Sequence, residues 1–344
     1  MIDWLTGILS TLLWPFSVRP SLVNLADPEM RRLVATALSE LGLAVLLLAI
    51  TTLVRRGRIV AILLTLPVVF TQVPSLALLL VPATPTSYHP SPTGFTASSI
   101  ASGRAVFADT CVSCHGEAGD GVGGRGEIAD LRAPHIWSHP AGDLFWFVSH
   151  GINQPDGTYL MPAFQTLLPD RTRWSLIDYV HALNAGAVAR GLGGWPGRVP
   201  APSAAISCTK IAARSIADLR GKAVRIILGA LPVPLTLLPP VNGIAVVTVW
   251  IPGEASEATP AAGVDCVAQG SSDAATAYAI LAGSADGKLI PARFLVDPEG
   301  VLRSVWRKGD GDDWADPNRQ LQEVRTICTE AFSIGPGDEH EHHH

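Results

Sequence analysis

Two thiols and an imidazole carry the clearest chemistry in this chain. Cys111 and Cys114 flank Val112 and Ser113, and His115 follows at once, in the run DTCVSCHG from Asp109 to Gly116. The C-x-x-C-H spacing is the c-type haem attachment pattern: the thiols add to the haem vinyl groups as thioethers, and the adjacent imidazole turns onto the iron. A bare C-x-x-C would also suit a thioredoxin-like redox pair or half of a zinc site. A zinc site needs a second ligand pair, and Cys208, Cys266 and Cys328 stand far apart with no such spacing among them. The immediate histidine and the glycine-rich run GEAGDGVGGRG at 116–126 favour haem.

A second axial ligand emerges by elimination. The chain has three methionines: Met1 starts it, Met30 precedes the first apolar stretch, and Met161 remains, in the run YLMPAF where Pro162 stiffens the loop. A Met/His pair raises the reduction potential and leaves no open position on the iron, which suits carrying electrons. His135, His139 and His150 are rival axial ligands, and ligation by two histidines would imply a lower potential. His150 ends the apolar run LFWFVSH, where a packed or hydrogen-bonded ring is the ordinary expectation.

The elements that must position these residues are helical. Ala97 to Asp109 has helical period and sets Gly103 and Phe107 one turn apart on one face. Arg171 to Leu183 is amphipathic, with Trp174, Ile177, Tyr179 and Val180 inward and Asp170 as a candidate N-cap. The two helices are expected to cross, the glycine admitting an aromatic.

Composition frames the rest. The chain has 344 residues, 48% hydrophobic and 16% charged, with a mean hydropathy of +0.30. That is apolar enough to imply lipid contact. Residues 33–54 and 59–81 are each long enough to span a bilayer and read as a transmembrane hairpin. The basic connection Arg55, Arg56 and Arg58 puts the turn in the cytoplasm and the rest of the chain outside. Residues 4–18 are too short to span and read as an interfacial piece within an N-terminal segment, 1–32. Glu40 is the one acid in the first span, a functional candidate if intramembrane and otherwise an interfacial or protonated carboxyl. The absence of histidine from both spans removes the bis-imidazole ligands of a membrane b-type haem. The net charge of -5 argues against nucleic acid as a partner.

Residues 82–94 form a Pro/Ser/Thr-rich linker with His89 as a solvated loop residue, and 186–205 form a second, Gly/Pro-rich linker. Between them, residues 95–185 are similar to a class I cytochrome c, in Gly103 and Phe107, CVSCH, Met161 followed by Pro162, and Tyr179. The runs VPATPTSYHPSPTGFTASSIASGRAVF, DLFWFVSHGI, MPAF and RWSLIDYVHALNAG resemble the haem portion of bacterial fusions that join a CopD-type copper-resistance membrane domain to a cytochrome c. A full CopD-type domain has more spans than two, so the resemblance implies a truncated copper-transport half.

After the second linker come strand-like runs at 223–228, 244–250, 293–296 and 301–306, and helical patterns near 273–283 and 316–331. This α/β layer, residues 206–332, looks like a thioredoxin-like domain of the TlpA or Sco kind, with Pro291 where that fold keeps a cis-proline. The redox pair of that family should follow the 223–228 strand, but GALPVPLTLLPP stands there, so the domain reads as degenerate, for docking or packing. Cys208 and Cys328, near its two ends, are the expected disulfide, with Cys266 free. The tail, 333–344, ends in GDEHEHHH, a weak metal ligand, an affinity tag or a disordered end.

The expected protein is thus multi-domain: a transmembrane α-helical hairpin, an all-α class I cytochrome c domain and an α/β thioredoxin-like domain. It would be a multi-pass bacterial inner-membrane protein with haem and C-terminal domains in the periplasm. One covalent haem c would pass single electrons between redox partner proteins of the periplasm or membrane, and the chain is read as an electron carrier before an enzyme. Copper handling with the haem as accessory, or membership of a larger respiratory or dehydrogenase complex, are the alternatives. Residues 95–185 hold nine acids, five arginines and no lysine, which fits a basic docking partner.

Overall fold

The computed structural model describes residues 18–20, 28–53, 65, 80–122, 130–153, 159–231, 235–253, 262–311, 314 and 316–329. In chain order its elements are β1 (Val18–Pro20), α1 (Pro28–Leu53), β2 (Leu80–Pro82), α2 (Ala97–Thr110), α3 (Val112–His115), α4 (Ala141–His150), β3 (Ile152–Asn153), β4 (Tyr159–Met161), α5 (Asp170–Leu192), β5 (Ile206–Cys208), β6 (Ala223–Leu228), β7 (Val246–Ile251), β8 (Cys266–Ala268), α6 (Ser271–Leu281), β9 (Ala292–Val296), β10 (Leu302–Arg307) and α7 (Pro317–Thr329). Two compact units form, one from residues 1–90 and 135–164, the other from 91–134 and 165–344.

The first unit overturns the membrane hairpin. Among the described residues no helix is long and apolar enough to cross a membrane, so a multi-pass arrangement is not supported. The first apolar stretch lies on α1, where Glu40 is exposed and interrupts the apolar sequence. The uncharged run after it rises only about 20 Å at about 1.5 Å per residue, against a hydrocarbon core of about 30 Å. The second stretch lies outside the described residues except for Thr65 and its end, where Leu80 and Val81 are strand and pair with Pro20 and Arg19. The basic turn at 55–58 and the 4–18 piece also lie outside them, apart from Val18.

The same unit departs from an all-α haem domain. Gly151, at φ +76, ends α4 and turns the chain into the antiparallel pair β3 and β4, which sets Ile152 opposite Met161. A Cβ on Gly151 would stand 2.4 Å from the Met161 carbonyl oxygen, so only glycine fits. Residues 84–87 are irregular but anchored. Thr84 Oγ1 donates to Asp143 at 3.2 Å, Ser87 Oγ donates to the same oxygen, and Thr86 Oγ1 donates to the Gly142 carbonyl at 2.6 Å. His89 is exposed, as a solvated loop residue would be.

The second unit joins the helices α2, α3 and α5 to a sheet. Six strands run β10-β9-β6-β7-β8-β5, parallel at β6/β7 and β7/β8 and antiparallel elsewhere. All six residues of β6 are buried, as a central strand covered on both faces requires. One face carries Ala223, Leu295 and Trp306 against Val324 and Ile327 of α7. On the other, Phe294 meets Tyr278 of α6 at 5.2 Å between ring centroids. The runs legible in the sequence became β6, β7, β9 and β10; β5 and β8, three residues each, did not announce themselves.

The α/β layer does not hang from a free tether. Helix α5 continues to Leu192, and a Cβ on Gly186 would stand 2.1 Å from the Ile280 carbonyl oxygen of α6. Tyr179 Oη donates to the Ala285 carbonyl at 3.0 Å, Tyr278 Oη to that of Pro202 at 3.0 Å, and the Ala97 N–H to that of Ser203 at 2.9 Å. The membrane hairpin and the all-α haem domain are therefore replaced by two units, of which the second packs α2 and α5 against the helix α6 of a six-stranded mixed sheet.

Candidate haem site

Thr96 caps α2, its Oγ1 accepting from the Ser99 N–H at 3.2 Å. The helix runs to Thr110, and one further turn, α3, carries the thiols. The Cys111 carbonyl accepts from the N–H groups of Cys114 at 3.1 Å and His115 at 2.9 Å, and Gly116, at φ +75, ends the turn. Cys111, Cys114 and His115 thus leave the backbone within a single turn. Both thiols are free, Cys111 buried and Cys114 half-buried. Burial, and then the neighbouring Cys114, push the Cys111 thiol up to about 11. Thiol exchange needs a thiolate at neutral pH, so this pair is poorly made for it.

Helix crossing builds the wall behind the turn. The Phe107 ring lies 5.0 Å from Tyr179 and 6.3 Å from His115, measured between centroids. Gly103 makes that crossing possible. Trp174, Ile177, Tyr179 and Val180 are all buried, as the amphipathic pattern requires. Asp170 is not the cap of α5: Pro169 holds that position, and the Asp170 carboxylate pairs with Arg173. A cavity of about 260 Å³ adjoins the turn, lined by Arg104, Phe107, Val112, Glu117, Tyr179 and Asp286 among others.

The loop after His115 is held by residues the sequence did not single out. Gly121 N–H donates to the His115 carbonyl at 2.9 Å, and Leu131 N–H to that of Gly119 at 2.9 Å. Asn184 of α5, fully buried, donates through Nδ2 to the carbonyls of Leu131 at 2.9 Å and Ala133 at 2.8 Å. Arg132 bridges Asp120 at 3.7 Å and Asp130 at 3.2 Å. Asp178 of α5, also buried, accepts from Ser99 at 2.5 Å, from Ser91 at 3.2 Å and from Thr93. Burial raises its pKa, and the hydroxyl bonds pull it partly back. The available signal was a lone acid and a lone amide on an otherwise apolar helical face.

Met161 and the rival histidines belong to the other compact unit. Met161 is half-buried at the end of β4, and the Phe164 N–H donates to the Val148 carbonyl at 3.0 Å, closing the loop that carries it. The His150 ring stacks on Trp146 at 3.6 Å between centroids, and its Nδ1 lies 3.2 Å from the Trp146 carbonyl, the packed histidine expected there. His135 and His139 meet edge to face at 5.9 Å.

The expected disulfide is corrected. Cys208 bonds Cys266, not Cys328, which is free and half-buried. β5 and β8 are antiparallel neighbours whose register sets Cys208 opposite Cys266, with Cα atoms 4.0 Å apart. Cys328 lies on α7. Among the described residues no group of three or more His, Cys, Asp or Glu could hold a metal ion, and the histidine-rich tail lies outside them.

Two free thiols on one turn, an imidazole on the next residue and an aromatic wall are a donor set that fits covalent haem c. Comparison with known proteins agrees with it. Residues 98–180 match the family described as cytochrome c oxidase, cbb3-type, subunit III. The chain is 32% identical over 105 residues to a cbb3-type cytochrome c oxidase subunit CcoP of Azospirillum sp. (strain B510), over 27% of this chain and 35% of that one. It is 34% identical over 61 residues to the subunit of the same name from Azospirillum brasilense, over 18% of this chain and 20% of that one. The chain thus spans about a third or less of the length of these curated relatives. Residues 98–180 are a c-type cytochrome domain involved in electron transfer, and its cofactor is covalently bound haem c.

Proposed function

We propose that the chain is a one-electron carrier working as part of a respiratory oxidase complex. The observation that carries this reading is the C-x-x-C-H run on a single helical turn inside the stretch that matches the cbb3-type family. Cys111 and Cys114 would hold the haem as thioethers, and His115 and Met161 would be the residues that ligate its iron. When bound, the iron supplies a one-electron couple whose potential a Met/His pair raises. The chain's own part is to fix and shield: α3 orients the imidazole, Phe107 and Tyr179 keep water from one side, and the loop pinned by Asn184 and Arg132 keeps the turn in place. Residues 95–185 act as the haem domain and 206–332 as its companion. A periplasmic location is supported by thioether attachment and by the Cys208–Cys266 disulfide, both of which favour an oxidising compartment. The mildly acidic haem domain favours a basic redox partner.

A pyridine haemochrome spectrum of the purified chain, with potentiometry on Met161→Ala, tests the reading. A thioether-haem spectrum is expected, with loss of the methionine-to-iron charge-transfer band and a lower potential in the variant. A normal haem spectrum and potential in Met161→Ala would remove the methionine, and absence of covalent haem in the wild type would remove the function. Co-purification of oxidase subunits from native membranes tests the complex; electron transfer insensitive to salt would remove the basic partner.

A further inference from the structure

The C-terminal sheet buries two guanidinium groups on one face. Ile227 of β6 stands opposite Arg293 of β9, so Arg225, two residues before Ile227, projects from the same face as Arg293. Arg225 is 2% exposed and Arg293 4%. Arg225 donates to two neutral acceptors, the Thr236 carbonyl and Thr248 Oγ1, each at 2.9 Å, and its Nε is buried without a partner among the described residues. Arg293 lies over the Trp314 ring at 5.2 Å from its centroid, and its Nη1 is likewise buried without a partner among the described residues. No carboxylate among the described residues forms an ion pair with either. Asp265 acts on Arg225 electrostatically, but its Oδ2 is engaged by the Thr248 N–H at 2.8 Å.

An isolated buried charge is costly, and two like charges side by side cost more. Burial, and then Arg293, bring the Arg225 guanidinium down to about 10, which still leaves it charged at neutral pH. Ala223, Leu295 and Trp306 fill the same face without that cost, so packing alone does not call for arginine here. What the pair has left over is an unused N–H from each guanidinium, the donor set that a planar or tetrahedral oxyanion takes up.

We propose that Arg225 and Arg293 bind a small oxyanion, a phosphate, a sulfate or the carboxylate of a small organic acid, on this face of the sheet. The ligand neutralises the pair and occupies the two unused donors. The loop after β6 then has a role that needs no cysteine, since it delivers the Thr236 carbonyl that orients Arg225. This site is independent of the haem chemistry.

Isothermal titration of the full haem-loaded chain in chloride buffer, with inorganic phosphate in one series and succinate in another, tests the proposal. Saturable one-site binding of at least one is expected, with the thermal midpoint rising with its concentration. Arg225→Gln and Arg293→Gln should each weaken binding at least about tenfold, the loss of one charge-assisted contact, with the haem spectrum unchanged. Stronger binding of phosphate or of succinate identifies the class of oxyanion. No saturable binding of either by the wild type overturns the proposal, as does undiminished binding in both variants. If a variant fails to fold, the wild-type titration decides alone.

Discussion

Gly103 of α2 lies against the backbone of Ser175 on α5 so closely that a Cβ there would stand 2.0 Å from the Ser175 carbonyl oxygen and 2.9 Å from Tyr179 Cβ. Both obstacles are rigid, so the helices must separate to admit even a methyl group. Gly103→Ala should cost about 1–3 kcal/mol, the usual cost of overpacking. Denaturant unfolding measures it, and an unchanged midpoint would show that the crossing is loose enough to admit a methyl group.

Asn184 offers a second test. It is fully buried and its Nδ2 serves two carbonyls, those of Leu131 and Ala133, in the loop after the turn that carries Cys114 and His115. Asn184→Leu keeps the volume roughly and leaves both carbonyls without a donor, at about 2 kcal/mol or more. Lower stability together with a lower yield of covalent haem is expected. Full haem loading at unchanged stability would mean that the loop is held by other contacts.

Asp178 predicts a pH dependence. Burial raises its pKa above 3.8, the ordinary value, despite the hydroxyl bonds from Ser99, Thr93 and Ser91. A carboxyl that holds its proton more tightly folded than unfolded contributes stability in full below 3.8, and loses it as pH rises through the folded value. The wild type should therefore lose stability relative to Asp178→Asn on going from acid to neutral pH. Parallel unfolding curves at all pH values would contradict the raised pKa.

Disulfide mapping checks the sheet register. Peptides from the unreduced protein should join Cys208 to Cys266, with Cys328 open to alkylation. Replacing both bonded cysteines by serine should cost about 2–4 kcal/mol. A Cys208–Cys328 peptide would displace β8 from its place beside β5.

The sequence by itself determined the elements of local period and named the chemistry to look for. C-x-x-C-H is legible within five residues because thioether attachment and iron ligation would need those groups on one turn, and the structure does place Cys111, Cys114 and His115 on one turn. The face shared by Gly103 and Phe107, and the inward set Trp174, Ile177, Tyr179 and Val180, follow from a helical repeat that neighbouring residues define. The apolar runs of β6 and β9 declare buried strands in the same way. Only the tertiary structure decided what depends on distant partners. β5 and β8 are too short to carry a period and exist because their backbones bond across the sheet, and that register, not position in the chain, chose Cys266 for Cys208. Whether an apolar stretch lies in lipid or elsewhere is likewise not written in hydropathy, which measures aversion to water and says nothing of what replaces it. The carboxyl of Asp178, the amide of Asn184 and the guanidiniums of Arg225 and Arg293 look like surface residues in the sequence, and folding alone turns each into a buried group in need of a partner.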